Sequence, residues 1–289
     1  MLTRAVIALI WLLRLLPLPA LAAIGNGFGT LLYAFGRERR RVCLINLARC
    51  LPQLSQRERD ALARRHFQAF ARSFLERGIL WWGSPARIRQ LVRIEGMEHF
   101  DAVRGGPVIL LAPHFIGLDM GGARLAMEFD MVSIYSKQKN DVFDAVLYAG
   151  RIRFGRLTLL SRQAGVRPAL RAMQAGRPFY YLPDMDYGQR DTIFAPFFGV
   201  EAATITGVSR LARLAGARVL PCVTRMFPRG EGYVVRFLPA WENYPGASIE
   251  ADTWRMNAFV EEQIREMPEQ YLWVHKRFKT RPAGQAPWY

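Results

Sequence analysis

Hydrophobic and polar positions divide this chain into three successive patterns. From Ala5 to Phe35 the residues are almost wholly apolar, with Arg14 the one charge among them. A bilayer-spanning helix takes roughly 20 apolar residues. The stretch supplies them if Arg14 snorkels and Pro17 and Pro19 are tolerated. Residues 1–36 are therefore expected to form a hydrophobic membrane-anchor helix, either spanning the bilayer or lying in its interface. The small-residue run "ALAA" (Ala20–Ala23) resembles a signal cleavage site. Arg14 near the end of the first apolar run, and the long apolar stretch after that site, argue for a retained anchor instead. Gly25, Gly27 and Gly29 ("GNGFG") follow no hydrophobic strand and open no βαβ unit, so they point to close packing or a bend rather than to a nucleotide loop.

The second pattern is a helical period. Ser55 and Glu58 stand at capping-box spacing, and Leu62, Phe67, Phe70 and Phe74 recur on one face, which predicts an amphipathic helix over Gln56 to Leu80. His66 within it reads as a surface or packing residue. The third pattern is an alternation of short apolar runs with amphipathic segments. "PVILLAP", "MVSIYS", "LTLLS", "PFYYLP", "ARVLPCVTRM" and "GYVVRFLPA" read as strands; "GLDMGGARLAMEF", "DVFDAVLYAGRIRFG", "VRPALRAMQAG", "TITGVSRLARLAG" and "ADTWRMNAFVEEQIREM" read as helices. Continuous apolar strands between short helices predict an α/β fold with both sheet faces covered. Residues 37–289 are accordingly expected to be a single domain with a central mixed, largely parallel sheet flanked by helices. No repeat or long linker divides it.

Charge narrows the partners. The formal net charge is +16, and all but four of the 40 basic residues are arginine. Such an excess suits a polyanion: nucleic acid, an anionic membrane surface, or an acidic protein or substrate. The arginines are scattered among helices with no aromatic-basic RNA motif or DNA-reading pattern, which argues against nucleic acid. The cluster "RERRR" (Arg37–Arg41) after the apolar segment is expected on the cytoplasmic side, against anionic headgroups. Cys43, Cys50 and Cys222 are odd in number and lack metal-ligand spacing, so they read as ordinary intracellular thiols.

Candidate chemistry sits where strands end, the place where ligands gather in open α/β sheets. His114 follows "PVILL" and Asp119 lies five residues on; Asp184 follows "PFYYL". On a continuous helix a five-residue step leaves two side chains about 140° apart. His114 and Asp119 meet only if His114 lies in the turn and Asp119 in the first turn of the next helix, which Pro113 and Gly117 favour. Asp119 would then accept from one imidazole nitrogen and leave the other as a base. A purely structural alternative has His114 closing the strand and Asp119 compensating the helix N-terminus. No serine or cysteine lies within the motif, so any chemistry there is direct activation of a substrate hydroxyl without a covalent intermediate.

"HFIGLD" resembles the His-x4-Asp/Glu motif of membrane-associated acyltransferases. With "GRIRFGRLTLLSR", "PDMDYGQRDTIFAPFFGVEAATITG", "LARLAGARVLPCVTR" and "PEQYLWVHKRFKTRP", the chain resembles the bacterial lipid A biosynthesis (lauroyl/myristoyl) acyltransferases from near its start to Pro282. Many members carry Glu where this chain has Asp119. The resemblance implies transfer of a fatty acyl chain from acyl carrier protein to a hydroxyl of a Kdo-bearing lipid A precursor at the inner membrane, facing the cytoplasm. It implies His114 as general base and Asp119 as its orienting partner; no cofactor is expected, and with no further clustered ligands beside Asp184 and Asp186, no metal. Arg151, Arg153 and Arg162 become candidates for the oxyanion or the acceptor. Asp184 and Asp186 match the family's acidic motif, while His275, Lys276 and Arg277 suit phosphates or an acidic carrier. An acyltransferase for a glycerophospholipid or another glycolipid is the nearest alternative, although "PDMDYG" stands where such enzymes usually carry a "PEGT"-type block. A basic membrane-surface binding protein is the non-enzyme alternative.

Overall fold

The computed structural model describes residues 1–289. Helices α1 (Leu2–Leu13), α2 (Leu18–Phe35), α3 (Arg37–Cys50) and α4 (Gln56–Trp82) come first, and α5 (Pro85–Leu91) leads into the sheet. There follow β1 (Val92–Glu95), α6 (Met97–Asp101), β2 (Val108–Leu111), α7 (Leu118–Leu125), β3 (Met131–Tyr135), α8 (Asp141–Ile152), β4 (Leu157–Ser161), α9 (Arg167–Gln174) and β5 (Phe179–Tyr181). A hairpin of β6 (Thr192–Phe197) and β7 (Val200–Ile205) precedes α10 (Gly207–Ala215), β8 (Arg218–Met226), β9 (Tyr233–Phe237) and α11 (Ile249–Glu266).

Seven strands form one sheet in the order β1-β9-β8-β2-β5-β3-β4, parallel throughout except for the antiparallel β8–β9 pair. The mixed, largely parallel α/β sheet read from the sequence is thus the one observed. β2 shows why its sequence carries no polar alternation. Ile109 and Leu111 enter the apolar cluster on one face, and Val108 and Leu110 enter the cluster on the other. A strand covered on both sides needs apolar residues at every position.

The β6–β7 hairpin was not legible as strands. Its turn is Phe198–Gly199, with φ of 51° and 73° at the two residues. That left-handed pair suits a two-residue hairpin turn, which Asn-Gly usually signals, and Pro196 interrupts the strand reading.

The N-terminal segment departs from a single anchor helix. It breaks into α1 and α2 because Pro17 holds an extended backbone (φ −56°, ψ 145°) as N-cap of α2, with Pro19 in the helix's first turn. The Arg87 guanidinium fastens the break from outside, donating to the carbonyls of Arg14 and Leu16. α2 is long and apolar enough to cross a membrane, yet it packs along α4. A Cβ on Gly25 would stand 2.6 Å from the Arg72 Cα, and one on Gly29 would stand 2.4 Å from the Gln68 Cα. Only glycine permits that approach, so the close packing expected at these two positions is real; Gly27 faces open space. α4 begins with the expected capping box, Ser55 and Glu58 each bonding the other's backbone amide. His66 on α4 is fully buried, and its Nδ1 lies 3.0 Å from the Glu269 carbonyl.

Candidate active site

The parallel pairing of β2 with β5 places the two most unusual loops side by side. Ile109 pairs with Phe179, Leu110 with Tyr180 and Leu111 with Tyr181, a constant offset of 70 positions. Both chains leave the sheet through a proline, Ala112-Pro113-His114 and Leu182-Pro183-Asp184, and the same offset pairs His114 with Asp184. The His114 Nδ1 lies 2.7 Å from the Asp184 Oδ1, and the His114 backbone N–H also donates to that carboxylate, 3.0 Å to Oδ2. Burial alone would raise the Asp184 pKa. Attraction to the His114 ring and the hydrogen bonds from its ring and amide outweigh burial and hold it below the ordinary carboxylate value. An ionised Asp184 fixes the imidazole proton on Nδ1, which leaves the Nε2 lone pair free.

This corrects the pairing expected from the motif. His114 does lie in the turn and Asp119 in the first turn of α7, but the Asp119 carboxylate is bound by two arginines. Arg151 donates from Nη2 at 2.6 Å and Nε at 3.1 Å to Oδ1, and Arg77 Nη2 lies 3.0 Å from Oδ2. Burial opposes ionisation here too, and the Arg151 and Arg77 charges overcome it, so the Asp119 pKa is lowered. Arg77 escaped the sequence reading because it lies on α4, far from any motif, as one more polar residue on an amphipathic helix.

His114, Asp119, Arg77, Arg151 and Arg162 line one cavity of about 890 Å³, half of whose 34 lining residues are hydrophobic. Its apolar wall includes Ile134, Leu157, Leu159 and Leu211, and the Arg162 guanidinium lies 5.2 Å from the Tyr187 ring centre. The other candidates are occupied elsewhere. Arg153 donates at 2.8 Å to the carbonyls of Leu80 and Gly83, closing the C-terminal end of α4. Asp186 accepts from Gly188 N, Thr280 N and Thr280 Oγ1, which ties down the C-terminal segment. Arg277 is buried and donates to Ala203 O and Thr204 Oγ1. Lys276 Nζ lies 3.6 Å from Glu38. The His275 imidazole is pushed down to about 4, by burial first and then by the charges of His114 and Arg277.

"EQYLW" proves to be a strap over the motif loop. Gln270 O accepts from Ile116 N at 2.8 Å, Leu272 N donates to His114 O at 3.2 Å, and Phe115 bridges to Tyr271. Gln270 is itself fixed by two hydrogen bonds to the backbone of Met226 at the end of β8.

A His-x4-Asp motif at the carboxyl edge of a largely parallel sheet opens into a half-apolar cavity, the arrangement that the resemblance to membrane-associated acyltransferases leads one to expect. The model of the bacterial lipid A biosynthesis acyltransferases matches residues 1–280, and the chain belongs to that family. It is 35% identical over 281 residues to the lipid A biosynthesis lauroyltransferase of Escherichia coli (strain K12), covering 96% of this chain and 91% of that one. The palmitoleoyltransferase of the same organism is 32% identical over 286 residues (98% and 92% covered), and its myristoyltransferase 32% over 274 residues (92% and 82%).

Proposed function

We propose that this acyltransferase of lipid A biosynthesis moves a fatty acyl chain from acyl carrier protein to a hydroxyl of a Kdo-bearing lipid A precursor, with His114 as general base. The observation that carries the reading is the His114–Asp184 contact of 2.7 Å beside the half-apolar cavity that His114 lines. His114 Nε2 takes the proton from the acceptor hydroxyl as its oxygen attacks the thioester carbonyl. The tetrahedral intermediate collapses with loss of the carrier's thiolate, and the imidazolium returns the proton to that sulfur. The base contributes on the order of 10²–10⁴ in rate. Asp184 holds the tautomer and balances the imidazolium. Asp119 holds Arg151 and Arg77 at the cavity wall, where their N–H groups meet the developing oxyanion. Arg162 stands at the same wall for the acceptor's anionic groups. The apolar lining takes acyl chain. α1 and α2 hold the enzyme to the inner membrane with its sheet on the cytoplasmic side, where the acidic carrier meets a strongly basic protein.

The test uses purified protein in detergent with lauroyl-, myristoyl- or palmitoleoyl-loaded acyl carrier protein and a Kdo-bearing lipid A precursor. Mass spectrometry should show one added acyl mass, lost in a folded His114→Ala variant. A variant as active as the wild type removes His114 from the chemistry. Transfer to lysophosphatidate but not to the lipid A precursor replaces the acceptor.

A further inference from the structure

The membrane-anchor reading above leaves open how α1 and α2 meet the bilayer. We infer that both helices lie flat in one leaflet of an anionic phospholipid membrane, without crossing it, and so place the cavity beside the lipid surface. The inference rests on that anchor reading and specifies its geometry.

The two faces of α2 carry the argument. Leu18, Leu21, Ala22, Gly25 and Gly29 are buried, while Ile24, Phe28, Leu31 and Phe35 are exposed at spacings of four, three and four. On a helix these are two separate stripes, centred about 110° apart, with the small residues Ala20, Ala23 and Gly27 exposed on the far face. On α1 only Ile10 is buried, and Leu2, Val6, Leu9, Trp11 and Leu12 are exposed around the rest of the helix. The buried side of each helix rests on α4. A Cβ at Gly78 of α4 would come within 2.5 Å of the Ile10 carbonyl, and Gly25 and Gly29 stand against the α4 backbone at Arg72 and Gln68.

α2 would be about 27 Å long, close to the roughly 30 Å hydrocarbon thickness, so length alone permits crossing. Packing does not. If α2 crossed, α4 would have to cross with it, bringing the exposed Arg64 and Arg65 into hydrocarbon, where charged side chains are costly. Nor can α4 leave the domain. Glu76 accepts from the Tyr233 hydroxyl of β9, and Arg72 Nη1 donates to Phe227 O at 2.7 Å. The solution that satisfies both stripes is one face on protein and the other in lipid, which is an interfacial helix pair.

Charge picks the lipid. Arg37, Arg39, Arg40 and Arg41 follow α2 directly, and Arg37, Arg40 and Arg41 line a shallow concavity on α3 with Leu44, Ile45 and Ala48. Basic groups beside an apolar stripe suit anionic headgroups. The cavity reaches the same side. Gln138 lines it, and Asn140, two residues on, donates to Thr3 Oγ1 of α1 at 3.0 Å. The Gln138 edge of the cavity thus lies near α1, the side from which a lipid acceptor would enter.

Depth measurement tests this on the full chain. Single cysteines replace Ile24, Phe28, Leu31 and Phe35; Cys43, Cys50 and Cys222 are all buried. Each carries an environment-sensitive fluorophore in vesicles of phosphatidylcholine and phosphatidylglycerol, quenched by lipids brominated at graded positions. A flat helix gives four labels at one shallow depth. A steady gradient of up to about 16 Å over the 11 residues means a crossing helix and overturns the inference while leaving an anchor in place. Absence of vesicle binding by the unsubstituted protein overturns the anchor reading itself. Phe28→Glu, with its fold checked by circular dichroism, should bind these vesicles at least ~10-fold more weakly; undiminished binding overturns the outward stripe. Binding that does not tighten as phosphatidylglycerol replaces phosphatidylcholine overturns the anionic specificity.

Discussion

His114 and Asp184 face each other because β2 and β5 run parallel with an offset of 70 positions and each continues through a proline for three residues past its last pair. The contact is thus a property of sheet register, and the motif's own aspartate is free for Arg77 and Arg151. Asp184→Asn keeps the size but reverses the polarity toward Nδ1. Its amide would donate to that nitrogen, drive the proton to Nε2 and remove the base. We expect kcat to fall on the order of 10³ with little change in KM. Nitrogen NMR of the histidine ring should report the exchanged tautomer, and a wild-type rate with an exchanged tautomer would end the general-base assignment.

Asp119 is expected to act through arginines. Asp119→Ala leaves two partly exposed guanidiniums facing each other without their shared carboxylate. Urea unfolding should show a loss of about 1–3 kcal/mol, below the cost of a fully buried pair because both arginines retain water contact. kcat should fall as well, since Arg151 and Arg77 no longer hold one position. If only kcat falls, with stability intact, Asp119 is not the anchor of this pair.

The sheet was readable because buried parallel strands print themselves as unbroken apolar runs, and "PVILL" and "PFYYL" did so. The position of His114 was readable for the same reason. Its partner was not, because register is a long-range property: nothing local in "APH" or "LPD" says that these strands are neighbours. The repeated proline two residues past each strand was the available sign. Arg277 misled in the opposite way. In "HKRFKTRP" it reads as a cation for phosphates or an acidic carrier, whereas tertiary packing has drawn it under Phe197, 4.9 Å from the ring centre. The N-terminal apolar run showed its hydropathy, and Pro17 and Pro19 marked its break in plain sight; what no local signal showed is that Arg87, some 70 residues away, holds the carbonyls there so that the break is kept.

Acid should weaken the fold through His66. Burial is the main cause that lowers its pKa from 6.5 to about 4, against the smaller raising effect of its hydrogen bond to Glu269. Between those values the unfolded chain holds a proton that the folded chain lacks, so stability falls as pH falls from about 6.5 toward 4. The full span amounts to about 3 kcal/mol. His275, also depressed to about 4, adds in the same direction. Urea midpoints at pH 7.5 and 4.5 check this: the gap between them should shrink in His66→Gln. An unchanged gap would assign the acid sensitivity elsewhere.

Variants of Arg277 and Arg162 should separate a structural cation from a proposed binding one. Arg277 donates at 2.8 Å to both Ala203 O and Thr204 Oγ1 in the β6–β7 hairpin and does not line the cavity. Arg277→Met keeps much of the side-chain bulk and strands those acceptors, so unfolding should cost about 1–3 kcal/mol less while KM for the acceptor stays put. Arg162 is exposed at the cavity wall with Tyr187 beneath it. Arg162→Ala should leave the melting temperature within a degree or so, as surface substitutions usually do. It should raise KM for a phosphorylated acceptor about tenfold, the worth of one charged hydrogen bond. The comparison needs both variants assayed with the same acceptor at two salt concentrations. If Arg277→Met raises KM without loss of stability, the buried arginine is reaching the acceptor and the assignment of the two roles is reversed.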